Sequence, residues 1–346
     1  MNETIDREQV LAKAEAAVKR APENGALRRL LGRALLDMGR AEEAVEAYKK
    51  ALELGFREED CYSELSIALR FTGDYFGANR ILEDGWAQNP KSLTLPLLLY
   101  SAKLNRTDYD GAVAVIDRAI AVHPANYKLR HVRIVALLRG KMTAKAAEYA
   151  EEIKEQFAGE REFIYDRADL MLRLERPQEA LELLTAEHDH INPEGKMYLT
   201  LLARCHTALR DAEKAEEAFR KLYSLYPEKQ TALSLATLCM QRSDFDAARE
   251  YLGHIIALQD RSAEYFAARL MFASCRMAED PEAGKALLQA LIDEIDSTVQ
   301  ENPRNFIPMV YAAESYRMLG NPAKAAECDE YAERMRRELE AHIDSL

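Results

Sequence analysis

The chain has 346 residues, 48% of them hydrophobic and 31% charged, with a formal net charge of −12. That composition excludes an intrinsically disordered chain, and 14 Gly with 11 Pro are too few for a loop-rich β architecture. No apolar run approaches the roughly 18 residues needed to cross a bilayer as a helix, and the acidic balance disfavours a general nucleic-acid binder, which needs surplus Lys and Arg against phosphate.

In chain order, the opening MNETIDREQVLAKAEAAVKR lacks a basic leader followed by an apolar core, so no secretory signal is expected and a cytoplasmic location is. Five scattered cysteines with no CxxC pair agree with a reducing compartment and buried structural thiols. Residues 1–24 predict one helix, Arg7 to Arg20, ending before Pro22 as an N-terminal cap. From Gly25 the chain falls into a 34-residue frame, with Gly32 at position 8, Gly39 at 15, Ala44 at 20, Tyr48 at 24 and Ala51 at 27. One step on stand Tyr62, Leu65, Gly73, Ala78 and Pro90; the next carries Leu99, Ala112, Ile116, Ala119 and Pro124. The frame continues through Ala146, Ala168, Ala180 and Leu184, slips by one residue, and resumes with Ala203, Ala215, Phe219 and Pro227, then Ala236, Ala248 and Leu252. Residues 25–262 thus give seven repeats. Residues 263–305 read as a stretched repeat with a long second helix starting near Pro281, and residues 306–346 as a last repeat with a more polar capping helix.

Positions 4, 7, 8 and 11 follow helical spacing and form one apolar stripe; positions 20, 24 and 27 form another on a second helix. Glycine between them, at Gly39, Gly73 and Gly320, can take positive φ and end the first helix. Small residues at 8 and 20 let the paired backbones approach, and proline at 32 stops the second helix. A single hairpin cannot bury both faces, so stacking is required.

The aromatic-Leu-small-Tyr, Ala-aromatic-Ala-Pro pattern resembles the tetratricopeptide repeat family, although Tyr100 and Ile134 replace the small residue at position 8 and no unit has Trp at position 4. The resemblance implies an all-α solenoid of about nine to ten antiparallel hairpins coiled into a right-handed superhelix. In it the first helices line a groove with positions 2, 5, 9, 12 and 13. Those positions hold Arg29, Arg33, Arg70, Lys128, Arg139, Arg173, Arg204 and Arg317 against Asp37, Asp60, Glu162, Asp169 and Glu314. A groove richer in cations than the chain around it would favour an acidic protein or peptide segment, with Phe71, His131 and Tyr165 adding apolar and stacking contacts. The family's two-carboxylate clamp is absent: its positions carry Arg29, Arg33, Glu64, Thr94 and Leu98 here.

The residues offer no catalytic constellation and no phosphate-cradling or zinc motif. The run Glu187, His188, Asp189, His190 reads as a solvated loop, since consecutive side chains cannot converge on one ion. His206, at apolar position 11, is expected to pack with a hydrogen bond. The expectation is a non-catalytic scaffold or adaptor without cofactor or metal, its partner a protein or peptide. A peptide sensor that changes conformation on binding is the alternative, and homodimerisation through a terminal unit stays open.

Overall fold

The computed structural model describes residues 7–187, 190–303 and 305–345, and every regular element among them is helical. The chain divides into two compact units, Met1–Phe157 and Ala158–Leu346. The first contains α1 (Arg7–Arg20), α2 (Gly25–Asp37), α3 (Ala41–Glu53), α4 (Glu59–Phe71), α5 (Tyr75–Gln88), α6 (Thr94–Asn105), α7 (Tyr109–Val122), α8 (Tyr127–Arg139), α9 (Thr143–Glu152) and the single turn α10 (Lys154–Phe157). The second contains α11 (Arg161–Arg173), α12 (Pro177–Ala186), α13 (Lys196–Ala208), α14 (Ala212–Leu225), α15 (Lys229–Gln241), α16 (Phe245–Ile256), α17 (Ala263–Glu279), α18 (Pro281–Glu301), α19 (Pro308–Met318) and α20 (Pro322–Ser345). Within each unit every helix packs on the next, and first helices also touch the first helices of adjoining pairs, as in α2 with α4 and α4 with α6, or α15 with α17 and α17 with α19. Each unit is therefore an all-α solenoid of stacked hairpins, in which one layer buries the apolar face of its neighbour.

The small residues do what their spacing requires. Ala44, Ala78, Ala112, Ala146, Ala180, Ala215, Ala248 and Ala325, all at position 20, are at most 2% exposed. A Cβ on Gly32 would lie 2.9 Å from the fully buried ring of Tyr48, so this crossing has no room for a methyl group. Where position 8 is not small, the larger side chain finds a use: Tyr100 is buried and its hydroxyl donates to the Val132 carbonyl of α8 at 3.0 Å. In the stretched pair, Gly284 lets α18 lie against α17; a Cβ there would come within 2.4 Å of the Met277 Cα.

Gly39, Gly73 and Gly320 take φ of 75°, 85° and 75°, as their place between helices requires. At the corresponding turns Thr107, Lys141, Glu175, Arg210 and Ser243 adopt the same left-handed conformation, φ 57° to 61°, without glycine's freedom. Beyond these residues a second device starts the next helix. The carboxylates of Asp74, Asp108, Asp211 and Asp244 accept hydrogen bonds from the free N–H groups of Gly77, Gly111, Lys214 and Ala247.

Candidate functional site

In the first unit, the side of the first helices assigned to the groove begins with an ion cluster. Arg29 on α2 reaches Glu64 on α4 through two hydrogen bonds, Nε to Oε2 at 2.9 Å and Nη2 to Oε1 at 2.6 Å. Asp60 adds a contact at 3.1 Å, and the Arg29 and Glu64 side chains are each only 16% exposed. The bond to Glu64 raises the Arg29 pKa against the opposing effect of burial. Burial, reinforced by the Glu64 charge, raises the Tyr48 phenol and pushes the neighbouring Cys61 thiol up to about 12. Arg33, exposed, stands 3.6 Å from Glu64. These two arginines tie α2 to α4; their charge is largely answered inside the protein.

Further along the same unit the balance changes. Arg70 is half-buried and Phe71, the last residue of α4, is 74% exposed. On α6 the half-exposed Leu97, Leu98 and Leu104 pack on the core with one side, and on α8 Val132 does the same. Helix α8 carries Lys128, Arg130, His131, Arg133 and Arg139 and no acidic residue. Arg130 and Arg133 are committed: Arg130 donates to the Tyr149 hydroxyl at 2.9 Å, and Arg133 bonds Asp117 at 2.6 Å while its guanidinium covers the Tyr149 ring at 3.8 Å. His131 is half-buried. Lys128 and Arg139 are exposed, and among the described residues no carboxylate is paired with either. The result is an apolar lane on α6 and α8 with a cation near each end of α8.

The second unit is described by itself. Arg173 and Arg204 converge on Asp169 from α11 and α13, Nε to Oδ2 at 2.6 Å and Nη1 to Oδ1 at 2.5 Å. Burial pushes the Asp169 carboxyl up, but the two guanidiniums outweigh it and the net shift is downward. Tyr165 is half-buried on α11, its phenol raised by burial. Arg317 on α19 bonds Glu314 at 2.9 Å and also Asp329 on α20.

The ten residues singled out by sequence thus separate into three groups. Arg29, Arg33 and Arg204 are neutralised across neighbouring first helices and Arg173 within its own, whereas Arg70, Phe71, Lys128 and Arg139 present unanswered charge or apolar surface, all in the first unit. His131 and Tyr165 are partly covered. Sequence reasoning noted Glu64 at position 6 only as a departure from the clamp and missed it as the partner of Arg29, because position 6 is not among the five counted. The signal was a pair of opposite charges 35 residues apart, as in Arg29 and Glu64, Asp169 and Arg204, or Glu83 and Arg118.

All five cysteines are free and buried, and burial pushes the Cys205 thiol up to about 11. His206 is buried as expected, but without the expected hydrogen bond at Nδ1, which stays 3.8 Å from the Asp211 carboxylate; burial lowers its pKa. His188 and Asp189 lie outside the described residues, while His190 stands 4.0 Å from Glu187. Among the described residues no cluster could hold a metal ion, and no helix is long and apolar enough to cross a membrane.

Several solved structures are similar in fold. A complex of Naa15 and Naa10 bound to HypK-THB matches with 16% identity and a TM-score of 0.41; the match covers 96% of this chain and 61% of that one, so the chain spans about three fifths of its length. The human IFIT1 dimer with m7Gppp-AAAA matches with 14% identity, coverage of 96% and 95%, and a TM-score of 0.48. A tetratricopeptide repeat protein from Parabacteroides merdae matches with 17% identity, coverage of 68% and 93%, and a TM-score of 0.44. No curated protein matches the chain. The family model for the tetratricopeptide repeat matches residues 9–56, 97–161 and 165–229, just over half of the sequence. The chain belongs to the tetratricopeptide repeat family.

Proposed function

We propose that the protein is a non-catalytic adaptor that holds an extended segment of another protein along α6 and α8 of its first unit. One observation carries this reading: Lys128 and Arg139 stand without acidic partners beside half-exposed leucines, while Arg29, Arg33, Arg173 and Arg204 are spent on internal ion pairs. A bound segment with apolar residues set between carboxylates would cover the leucines and answer both cations. Affinity would come from burial of the apolar side chains, with the charges fixing register and direction.

The test is an array of immobilised peptides graded in acidity and apolar content, probed with the whole chain. Peptides combining Glu or Asp with Leu or Phe should retain the protein. Lys128→Glu should cut retention about tenfold with helix content unchanged by circular dichroism, because it replaces an attraction by a repulsion. Retention untouched by Lys128→Glu would overturn the assignment to this lane.

A further inference from the structure

The turns joining first to second helices in the first unit carry a feature that the lane does not use. Phe76, the second residue of α5, is 69% exposed, and the Arg106 guanidinium of the next turn lies over its ring at 5.0 Å. The turn after that is in contact too: a Cβ on Gly140 would meet the Tyr109 Cβ at 3.0 Å. Phe71 ends α4 at the first of these turns, and Lys141 stands exposed at the third. The turns after α4, α6 and α8 therefore form one rim with aromatic rings and cations side by side.

The charge of this rim is opposite to that of the chain. Leaving out Arg139, which belongs to the lane, segments 70–76, 103–110 and 140–145 hold five cationic and three acidic side chains, in a protein where Asp and Glu outnumber Lys and Arg 59 to 47. Two of the three acids are occupied: Asp74 caps Gly77 at 2.7 Å, and Asp108 caps Gly111 at 2.9 Å while accepting from Lys103 at 2.8 Å. The preceding turn, between α2 and α3, is different. There Arg40 is answered by Glu43 at 2.6 Å, so the patch begins at Phe71.

We propose that this rim is a second docking surface, separate from the lane, and that its occupant is an acidic protein segment bearing an aromatic or large apolar side chain. An apolar anchor would extend the Phe71 and Phe76 surface, and its carboxylates would meet Arg106 and Lys141. Arg106 already lies over the Phe76 ring, so part of the ordering cost is met before binding. Single-stranded nucleic acid fits less well. Asp110 stands exposed within the patch, and the chain as a whole is strongly acidic.

The backbone supplies a means of testing this without unfolding the protein. Lys141 is held at φ 58°, where glycine is free of strain. Lys141→Gly should leave the fold intact with an unchanged or higher melting temperature, and yet remove a binding charge. The measurement is fluorescence anisotropy with a short labelled peptide of alternating Glu and Phe, on a Lys128→Glu background that weakens the lane about tenfold. Phe76→Ser and Lys141→Gly should each weaken binding by about tenfold. A peptide of alternating Lys and Phe should not bind. Equal binding of the Lys peptide, no effect of Phe76→Ser, or preference for an oligothymidylate of similar length would overturn the proposal. Loss of all peptide binding in the Lys128→Glu background alone would overturn it too, by placing the acidic segment in the lane.

Discussion

Thr107 shows what a single residue contributes. Its φ of 57° is a conformation that a β-branched side chain resists, and at equivalent turns Gly39 and Gly73 adopt it freely. Thr107→Gly should therefore stabilise the first unit by about 0.5 kcal/mol, the relief of left-handed strain exceeding glycine's entropic penalty in the unfolded chain. Gly73→Ala, at φ 85°, should destabilise it by about 1 kcal/mol. Thermal melts of both variants check the pair, and a shift of the same sign in both would refute the account. The glycine turns were legible because glycine is the default for positive φ; Thr107, Lys141 and Ser243 were not, because their own preferences point elsewhere and only the surrounding helices impose the conformation. The same holds for His206, whose burial follows from its position in the frame while its lack of a hydrogen bond at Nδ1 depends on packing that the frame does not specify.

At the scale of elements, the helices are pinned side to side by ion pairs as well as by apolar contact. Asp169 is the clearest case, since Arg173 on its own helix and Arg204 on the next first helix, α13, both bond it and hold its carboxyl below the ordinary 3.8. An acid with a depressed native pKa contributes stability that is complete above its unfolded value and is lost as pH falls through the native one. Asp169→Asn should lower the unfolding free energy by about 1–2 kcal/mol at neutral pH, and the difference from wild type should close below about pH 4. Urea titrations at several pH values decide it; a gap that persists in acid would assign the loss to packing. Helix pairs and their small crossing residues were readable from apolar spacing, because burial leaves a period in the sequence. Pairing between separate helices leaves no period of its own, so counting charges in one frame offered Arg173 and Arg204 as binding candidates when Asp169 already answers both.

For the whole molecule the governing quantity is a net charge of −12 set against local cationic surface in the first unit. An acidic ligand is repelled at long range and attracted only near Lys128 and Arg139, or at the rim. Added salt should therefore ease the approach while weakening the final pairs. Stopped-flow measurements with an acidic, apolar peptide should show association no slower, and dissociation faster, at higher ionic strength. Association that slows steeply with salt would mean that the chain attracts such ligands from a distance, contrary to its charge. This contest was only half legible, since composition gives the total and not where the unanswered cations lie.

The bond from Arg29 to Glu64 bears on how such arrays can be rebuilt. Excising residues 59–92 would keep the 34-residue phase and bring α6 up to α2, but Arg29 would then meet Leu98 and Thr94 in place of Glu64 and Asp60. A half-buried guanidinium would be stranded in a layer that otherwise fits. Complementary charges thus label which hairpin follows which, and shuffling modules of equal length would yield a stack whose shapes agree and whose labels do not.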